Sequence, residues 1–361
     1  MYTSWKVRFA AMLGLTAAML FAYLLPTAVK GATDREVKEF MAKIQDGNAD
    51  VRYATWRSAG KIGASAVVPL GELVAGKNRG VARAASEALN VIAHHASRPG
   101  ATAEREAVSR EFLKLLARGK PHATQVKGLE LLALTAGDAC VPPIARLLHD
   151  EKLRENARRA LERIPGKASL QALIGVVKKV PEGFRPAVIH SLGQKGSTEA
   201  LDVLVDCAES SNKAVALAAY SALSRIGEVH SRQPQPAFRW EDLSEREKRC
   251  VANAFVLFAE KRAVRGDREM ALRIYRGVLA GAEEEHFKCA GLIGIGAFGS
   301  ASDVEAMLPA LSDESPVVRR VAMEALASLK GSDINAALEK AMETASPEVK
   351  DCLSKILSAR K

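Results

Sequence analysis

The sequence predicts an all-α protein, an α-solenoid of stacked helix-turn-helix repeats, and two observations support this. Apolar and small residues recur with a spacing of about thirty residues along much of the 361-residue chain. The hydrophobic content of 48% comes mainly from Ala, Leu and Val, whereas aromatic residues make up only 5%. This composition suits close helix packing better than a β-sandwich, which favours aromatic and β-branched residues. Because one helix pair cannot bury its apolar face alone, the copies must stack on one another.

The repeat is defined by one helical stretch, 214–227 (AVALAAYSALSRIG), in which Ile226 serves as the reference position. Nine copies of the pattern match along the chain. The residue three positions before the reference is apolar in every copy, and the residue eleven before it is apolar in all copies except one, which has Gln125. These spacings place the residues on one helix face, so each copy is predicted to be a helix with a core stripe. The reference residues are Ile62, Ile92, Ala136, Ile164, Lys195, Ile226, Phe298, Leu329 and Arg360.

Small residues in the core stripe are predicted to let neighbouring helices approach closely. The residue four positions before the reference is small in seven of the nine copies. Tyr220 is predicted to point away from the core stripe of its own helix, which makes it a candidate for partner contact. The alanines assigned to close packing in this helix are Ala218, Ala219 and Ala222, and the assigned core residues are Val215, Leu223 and Ile226.

Two intervals between successive references are longer than the others. The interval from Ile92 to Ala136 contains an insertion, 94–107 (HHASRPGATAEREA), which we interpret as a loop after the second copy. The interval from Ile226 to Phe298 begins with a proline-containing linker at 231–240. It continues with two predicted helices within 241–281, separated at Gly266 and Asp267. Shorter apolar helical segments lie between the other copies, so each repeat is predicted to be a helix, a turn and a helix.

The repeated helix is represented by four segments, 50–63 (DVRYATWRSAGKIG), 80–93 (GVARAASEALNVIA), 213–227 (KAVALAAYSALSRIG) and 316–331 (PVVRRVAMEALASLKG). These segments resemble the HEAT-like repeat family, in particular the short repeats named for phycobilisome lyases. The resemblance predicts HEAT-like repeats over residues 32–230 and 282–361. Within 241–281, Gly266 and Asp267 lie at the turn between two helices, and Ala271, Tyr275 and Val278 lie on the second helix; this pair resembles a tetratricopeptide repeat.

The segment 1–31 is predicted to be a targeting element. Lys6 and Arg8 precede an uncharged run from Phe9 to Val29, and small residues suited to signal-peptidase cleavage follow. The run is also long enough to span a bilayer, so both a cleaved signal peptide and an uncleaved membrane anchor remain open. In either case we expect an exported protein, periplasmic or extracellular, whose contact with the membrane is limited to this segment.

Basic residues are concentrated in the first half of the array. The segment 61–196 holds 22 basic and 12 acidic side chains, a net charge of +10 that equals the charge of the whole chain. Such an asymmetry favours acidic partners. The residue ten positions before the reference is basic in six copies, and the resemblance implies a bond to an aspartate near the preceding turn. These basic residues are Arg52, Arg154, Arg185, Lys288, Arg319 and Lys350, and the candidate aspartates are Asp50, Asp150 and Asp313.

Other basic and aromatic residues are predicted at outward positions of the repeated helices. The resemblance implies that these second helices line a concave binding face, where the residues would form a ridge that contacts a partner. A solvated helix face with no partner is the alternative interpretation. Together with Tyr220, the candidate partner-binding residues are Tyr53, Trp56, Arg57, Arg83, Lys127, Arg158 and Arg159.

The sequence shows no catalytic constellation, since it lacks a GxSxG motif, a phosphate-binding loop and a CxxC pair. We therefore expect a non-enzymatic scaffold without cofactor or metal that binds a protein partner. One alternative is a bilin lyase-like enzyme, which the family name suggests. Another is binding of an anionic envelope polymer, a lipid or a nucleic acid by the basic half. Nucleic acid is the least favoured, because Phe112 is the only aromatic residue between Lys61 and Lys127 and bases need aromatic stacking partners. The cysteines, interpreted as small buried residues, are Cys140, Cys207, Cys250, Cys289 and Cys352.

Overall fold

A computed structural model of the chain describes residues 31–231, 239–281 and 283–360. The predicted targeting segment therefore lies outside the described residues except for Gly31, and so does most of the predicted linker at 231–240. The described residues contain helices and turns and no β-strand, which confirms the all-α prediction. They divide into two compact units, one up to Ala172 and one from Leu173 onward.

The first unit contains four helix pairs, and in two of them the first helix is shorter than the second. The shorter members α3 and α7 are preceded or followed by 3-10 turns. The α-helices are α1 (Asp34–Ile44), α2 (Ala49–Arg57), α3 (Val67–Leu73), α4 (Arg79–Ala96), α5 (Thr102–Leu115), α6 (His122–Thr135), α7 (Val141–Arg146), α8 (Arg154–Arg163) and α9 (Lys167–Val176), the last of which spans the boundary between the units.

The second unit contains the remaining repeats and the helices of the long interval. Its α-helices are α10 (Arg185–Lys195), α11 (Leu201–Ala208), α12 (Lys213–Ile226), α13 (Glu245–Val264), α14 (Arg268–Gly281), α15 (Glu285–Phe298), α16 (Val304–Met307), α17 (Pro316–Ser328), α18 (Ile334–Thr344) and α19 (Pro347–Ala359).

Each unit is an α-solenoid of stacked helix pairs, which confirms the predicted fold class. In the first unit the second helices α2, α4, α6 and α8 pack against one another in chain order, and each also packs against the first helix of its own pair. In the second unit α10 packs against α12, α15 against α17 and α17 against α19, and first helices such as α11 and α18 cover them. We call the helices that play these two roles first-layer and second-layer helices.

The second-layer helices begin at a recurring capping residue, fourteen positions before the reference. The side chains of Asn48, Asn78, Asn212, Ser315 and Ser346 each accept a hydrogen bond from a backbone N–H of the first helical turn. Such a cap satisfies a backbone donor that has no partner within the helix. These capping residues recur with the repeat, but they lie outside the apolar core stripe, so the stripe alone does not predict them.

Glycine and alanine meet where second-layer helices of neighbouring copies touch. A Cβ atom on Gly193 of α10 would lie 2.8 Å from Cα of Ala222 in α12, and a Cβ on Gly296 of α15 would lie 2.8 Å from Cα of Ala325 in α17. In both pairs a glycine two positions before its reference faces the small residue four positions before the next reference. The predicted close approach is thus confirmed. Within α12, however, Ala219 and Ala222 are buried with Ala216, whereas Ala218 is only partly buried.

One sequence interpretation is wrong and another is confirmed only in part. Residues 94–107 are mostly helical rather than a loop, because α4 extends to Ala96 and α5 begins at Thr102. In the basic column, Lys288 binds the carboxylate of Asp313 at 2.6 Å as the resemblance implies, whereas other members bind backbone carbonyls. Arg319 donates to the carbonyl oxygens of Asp313 and Glu314 at 2.7 and 2.9 Å, and Arg52 does the same with Asp46 and Gly47. The carbonyls at the end of a helix or turn lack intrahelical partners, which makes them good acceptors for a guanidinium.

Candidate binding surfaces

The most exposed aromatic group of the first unit lies on α2. Tyr53 is 52% exposed, and its ring meets the ring of Trp56 edge to face with centroids 5.2 Å apart. The guanidinium of Arg57 lies over the Tyr53 ring, 5.5 Å from its centroid. We call these three residues the α2 surface. An aromatic pair with a cation over one ring is an arrangement that suits contact with a partner, because it combines apolar area with charge.

Arg83 occupies in α4 the repeat position that Tyr53 has in α2, nine places before the reference, and it is exposed. Lys127 has the same position in α6, but the structure buries it to 8% exposure. Its ammonium donates to Oδ1 of Asn90 at 2.7 Å and to Glu130 at 3.2 Å. The predicted outward placement of Lys127 is therefore wrong, because its long side chain reaches across to Asn90 of α4, while Glu130 of its own helix pairs with its charge.

Arg158 in α8 is also buried, with 7% exposure, so its predicted outward placement is wrong as well. Its guanidinium binds the carboxylates of Glu155 and Glu162 on the same helix, both at 2.7 Å. The hydrogen bonds from Arg158 lower the pKa of Glu155 below its ordinary value, despite partial burial. Arg159 is exposed, and it too is paired with Glu155 at 2.9 Å. The predicted basic ridge thus reduces to the α2 surface, Arg83 and the exposed Arg159, and Arg159 is paired with a glutamate of its own helix.

Tyr220 does not point freely outward but is half-buried at the wall of an apolar groove in the second unit. The groove has a volume of about 580 Å³ and is lined by side chains of α11, α12, α13 and α14 and by residues 228–230. Leu223 of α12, assigned to the core from sequence, is only partly buried and lies on the groove wall. Phe255 of α13 is 47% exposed and Val229 is 43% exposed. We call this cavity the Tyr220 groove.

A second cavity of about 410 Å³ adjoins the Tyr220 groove. It lies between the first half of α13 and the second half of α14 and ends at Phe287. Phe255 and Ile274 line both cavities, so the apolar surface continues from one into the other.

Most charged groups of the Tyr220 groove already have partners. Glu228 accepts from Arg262 at 3.3 Å and Arg265 at 3.1 Å, and His230 lies 2.8 Å from a carboxylate oxygen of Asp202. Arg273 differs, because its guanidinium donates to Sδ of Met270 at 2.7 Å and forms no ion pair with a described carboxylate. It is exposed at the edge of the groove.

The cysteines divide between interior and surface. Cys140 and Cys207 are buried, and burial raises the pKa of both thiols. Cys250 is exposed and Cys289 and Cys352 are only partly buried, so the interpretation of all five as buried residues is confirmed for Cys140 and Cys207 and wrong for Cys250. Within the described ranges, no three His, Cys, Asp or Glu side chains are grouped as metal ligands. None of the described helices is long and apolar enough to cross a membrane.

Comparison with known proteins agrees with the architecture. The profile of the HEAT repeats family matches residues 177–235, which include α10, α11 and α12. No curated protein matches the chain by sequence.

Among solved structures, a Kap121p mutant is similar with a TM-score of 0.51 and 13% identity, covering 91% of this chain and 41% of its own. The chain thus spans about two fifths of the length of that protein. Kap121p bound to Pho4p gives a TM-score of 0.44 with 12% identity over 91% of this chain and 45% of its own. Human deoxyhypusine hydroxylase gives 0.35 with 18% identity over 73% of this chain and 99% of its own. The stacked helix pairs and the likeness to the Kap121p mutant show the fold of a helical-repeat solenoid, and the profile match assigns HEAT repeats to residues 177–235.

Proposed function

We propose that the protein is an exported, non-enzymatic scaffold that binds a protein partner through the α2 surface. The observation that carries this proposal is the cluster of Tyr53, Trp56 and Arg57, in which Tyr53 and Arg57 are exposed and Trp56 is partly exposed. Its two aromatic rings and its guanidinium stand on a helix that the repeat stack holds rigidly. Aromatic and arginine side chains supply most of the binding energy in many protein interfaces. A rigid array of helices presents such groups without the entropic cost of ordering a loop.

A photoreactive benzoylphenylalanine in place of Tyr53 tests this function. The variant is produced in cells that make the full chain, the cells are illuminated, and cross-linked products are identified by mass spectrometry in separated cell fractions. We expect one dominant cross-linked protein in an envelope or secreted fraction. The matched control places the same probe at Lys114, an exposed position on the first-layer helix α5.

Equal cross-linking from both positions, or none from position 53, would contradict the α2 surface as a docking site. The proposed export rests on the charge pattern and apolar run of residues 1–31. The same fractions test it, because N-terminal sequencing of the chain distinguishes a cleaved signal peptide from an uncleaved anchor. Recovery of the chain solely from the cytosol would contradict export.

A second candidate function is binding of an anionic polymer by the first unit. Lys77 in the turn between α3 and α4 and Arg79 at the start of α4 are exposed, as is Arg118 in the turn between α5 and α6. They lie in the segment 61–196 that carries the net charge of +10. Flexible basic groups at a surface attract polyanions mainly through long-range charge, so the binding should depend on salt. A bilin lyase activity stays a prediction of the family resemblance, without a specific site to support it.

A further inference from the structure

Two neighbouring turns of the first unit carry exposed cations that the fold leaves unpaired. The turn between α3 and α4 contains Lys77 and is followed by Arg79, the first residue of α4, and the turn between α5 and α6 contains Arg118. All three side chains are exposed. Among the described residues, none of the three has a partner in a hydrogen bond or an ion pair. Their charges are therefore available to a ligand.

Contacts of α3 with the start of α6 bring the two turns together. The hydroxyl of Thr124, in the first turn of α6, donates to the carbonyl oxygen of Gly71 near the end of α3 at 2.9 Å, and this hydrogen bond is buried. Nζ of Lys120 lies 3.3 Å from a carboxylate oxygen of Glu72. Helices α4 and α6 also pack against each other, and packed helices lie about 8–10 Å apart. One extended ligand can therefore contact the cations of both turns.

These turns differ in charge from the turns on either side of them. We call segments 72–80 and 116–123 together the two-turn surface. They contain four lysine or arginine side chains and one acidic side chain, Glu72. The segment at the turn before them, 45–50, contains two acidic side chains and no basic one, and the segment at the turn after them, 149–154, contains two of each. The positive surface is therefore limited to two repeats.

Hydrogen bonds from side chains hold the backbone of both turns. Oδ1 of Asn78 accepts from the backbone N–H of Gly80 at 3.0 Å. Nε2 of Gln125 donates to the carbonyl oxygens of Leu116 and Ala117 at 3.4 and 3.3 Å. The basic residues are thus anchored at fixed points, while their long side chains can adjust to a ligand. Such a surface suits a flexible anionic chain.

The uncharged residues of the two-turn surface indicate which anionic chain it suits. They include no Phe, Tyr or Trp on which a nucleobase could stack. The exposed apolar side chains are alanine and proline, whereas surfaces that insert into a bilayer present large apolar groups beside the basic ones. The two arginines present planar guanidinium groups, whose geometry matches two oxygens of a phosphate. These features favour a chain of phosphate groups without bases.

We propose that the two-turn surface binds a linear chain of phosphate groups that carries no bases. The proposed site rests on the second candidate function, polyanion binding by the first unit, and adds to it a location and a ligand chemistry. Glu72 limits the affinity, because it pairs with Lys120, the fourth cation of the surface. A short chain is sufficient to fill the site, because acidic side chains lie at the turns on both sides.

Inorganic polyphosphate of defined length is the probe, and calorimetric titration of the full chain at several salt concentrations measures its affinity. We expect the affinity per phosphate to rise from pyrophosphate to a short chain that spans both turns, and to stay level for longer chains. Lys77→Ala with Arg118→Ala should weaken binding about fivefold, because two surface ion pairs are lost. The slope of log affinity against log salt should fall by about one for each lost contact. The matched control, Lys61→Ala with Arg105→Ala, removes the same charge from exposed positions of the first unit outside the two-turn surface.

Glu72→Gln gives a test in the opposite direction. It removes the acidic side chain of the two-turn surface and releases Lys120, so polyphosphate should bind about twofold more tightly or better. The matched control is Glu106→Gln, at an exposed position of α5 outside the two-turn surface. Equal gains from both variants would show that net charge, and not the release of Lys120, determines the affinity, and would overturn the assigned site.

Acetylation of lysines in the unchanged chain tests the site without a variant. Bound polyphosphate should protect Lys77 and Lys120 from a soluble acetylating reagent and leave Lys61 reactive, as measured by mass spectrometry of the peptides. Equal protection of all three, or equal weakening by the double variant and its control, would overturn the two-turn surface but leave polyanion binding by the first unit standing. Retention on heparin without binding of polyphosphate would overturn only the phosphate ligand, whereas failure to bind either polyanion would overturn the candidate function as well.

Two other ligands have their own outcomes. Single-stranded DNA that binds more tightly than polyphosphate of equal charge would assign the surface to nucleic acid. Binding to vesicles of phosphatidylglycerol and phosphatidylcholine, without binding of free polyphosphate, would assign it to a membrane. Either result would overturn the proposed ligand.

Discussion

At the scale of single residues, the stack depends on glycine and alanine residues at the contacts between neighbouring second-layer helices. Gly193 and Ala222 bring α10 and α12 into backbone contact, and Gly296 and Ala325 do the same for α15 and α17. The neighbour in each case is a Cα atom, which cannot move without shifting its helix. These contacts therefore set the spacing between neighbouring copies.

The substitution Gly193→Ala is expected to destabilise the protein. Its new Cβ would lie 2.8 Å from Cα of Ala222, and the helices would have to separate, at a cost of about 1–3 kcal/mol in the free energy of unfolding. Urea denaturation followed by circular dichroism measures the change. The control Gly175→Ala lies in α9, exposed and without a neighbour within 4 Å of the new Cβ. It should leave stability equal or raise it by up to about 1 kcal/mol, because alanine favours helix. The same loss of stability from both variants would contradict the close-contact explanation.

At the scale of the element, the repeated unit is a second-layer helix. A side chain caps its N-terminus, and hydrogen bonds hold the turn that precedes it. Ser315 caps α17, and Arg319 from the next turn of the helix reaches back to the carbonyls of Asp313 and Glu314. Lys288 of the preceding second-layer helix binds the carboxylate of Asp313 at 2.6 Å. Hydrogen bonds from these two basic residues and from the backbone of Ser315 hold the turn in place, and those from Lys288 and Ser315 lower the pKa of Asp313.

Arg319→Met is expected to lower the free energy of unfolding by about 1–3 kcal/mol, because two charge-assisted hydrogen bonds to backbone carbonyls are lost while the apolar stem is kept. Arg320→Met is the matched control in the adjacent position. Arg320 forms an exposed pair with Glu324 on the same helix, and such a pair contributes about 0.5 kcal/mol or less. Chemical denaturation of both variants gives the comparison. Equal losses would show that the turn does not depend on Arg319.

At the scale of the whole molecule, charge is distributed unevenly along the array. The segment 61–196 carries a net charge of +10, whereas 240–361 carries −2. Some of the positive side chains form ion pairs inside the fold. Lys127 and Arg158, for example, are buried and paired with glutamates. Those between helices or at a helix start, such as Lys77 and Arg79, remain at the surface.

If the first unit binds polyanions, the double variant Lys77→Glu with Arg79→Glu should weaken retention of the full chain on heparin. The slope of log affinity against log salt should fall by about one for each lost contact, because each contact releases counterions. The control Lys330→Glu with Lys340→Glu makes the same change in net charge at exposed positions of the second unit. An equal decrease for both double variants would mean that net charge alone, and not the turns of the first unit, determines retention.

The candidate sites show how far repeat periodicity predicts and where it stops. Tyr53, Arg57 and Arg83 were predicted to be outward-facing, and they are exposed. Lys127 and Arg158 were also predicted to be outward-facing, but they are buried. Whether a long side chain is exposed or buried depends on which hydrogen-bonding groups lie within its reach. Asn90 and Glu155 supply those groups, and whether they meet Lys127 and Arg158 follows from packing and side-chain conformation rather than from the repeat period.

The sequence by itself determined the all-α class, the stacked repeats, the helix pairs and the small-residue contacts, because each of these depends on periodicity within one chain. Only the tertiary structure decided how the helices of the long interval join the array. The interval at 231–281 contains two helices in sequence, and nothing in their pattern says that α13 packs against α12 as well as α14, or that α14 also packs against α15. That assignment depends on which faces meet in space, and it turns Tyr220 and Leu223, two residues of one repeat helix, into the wall of an open groove.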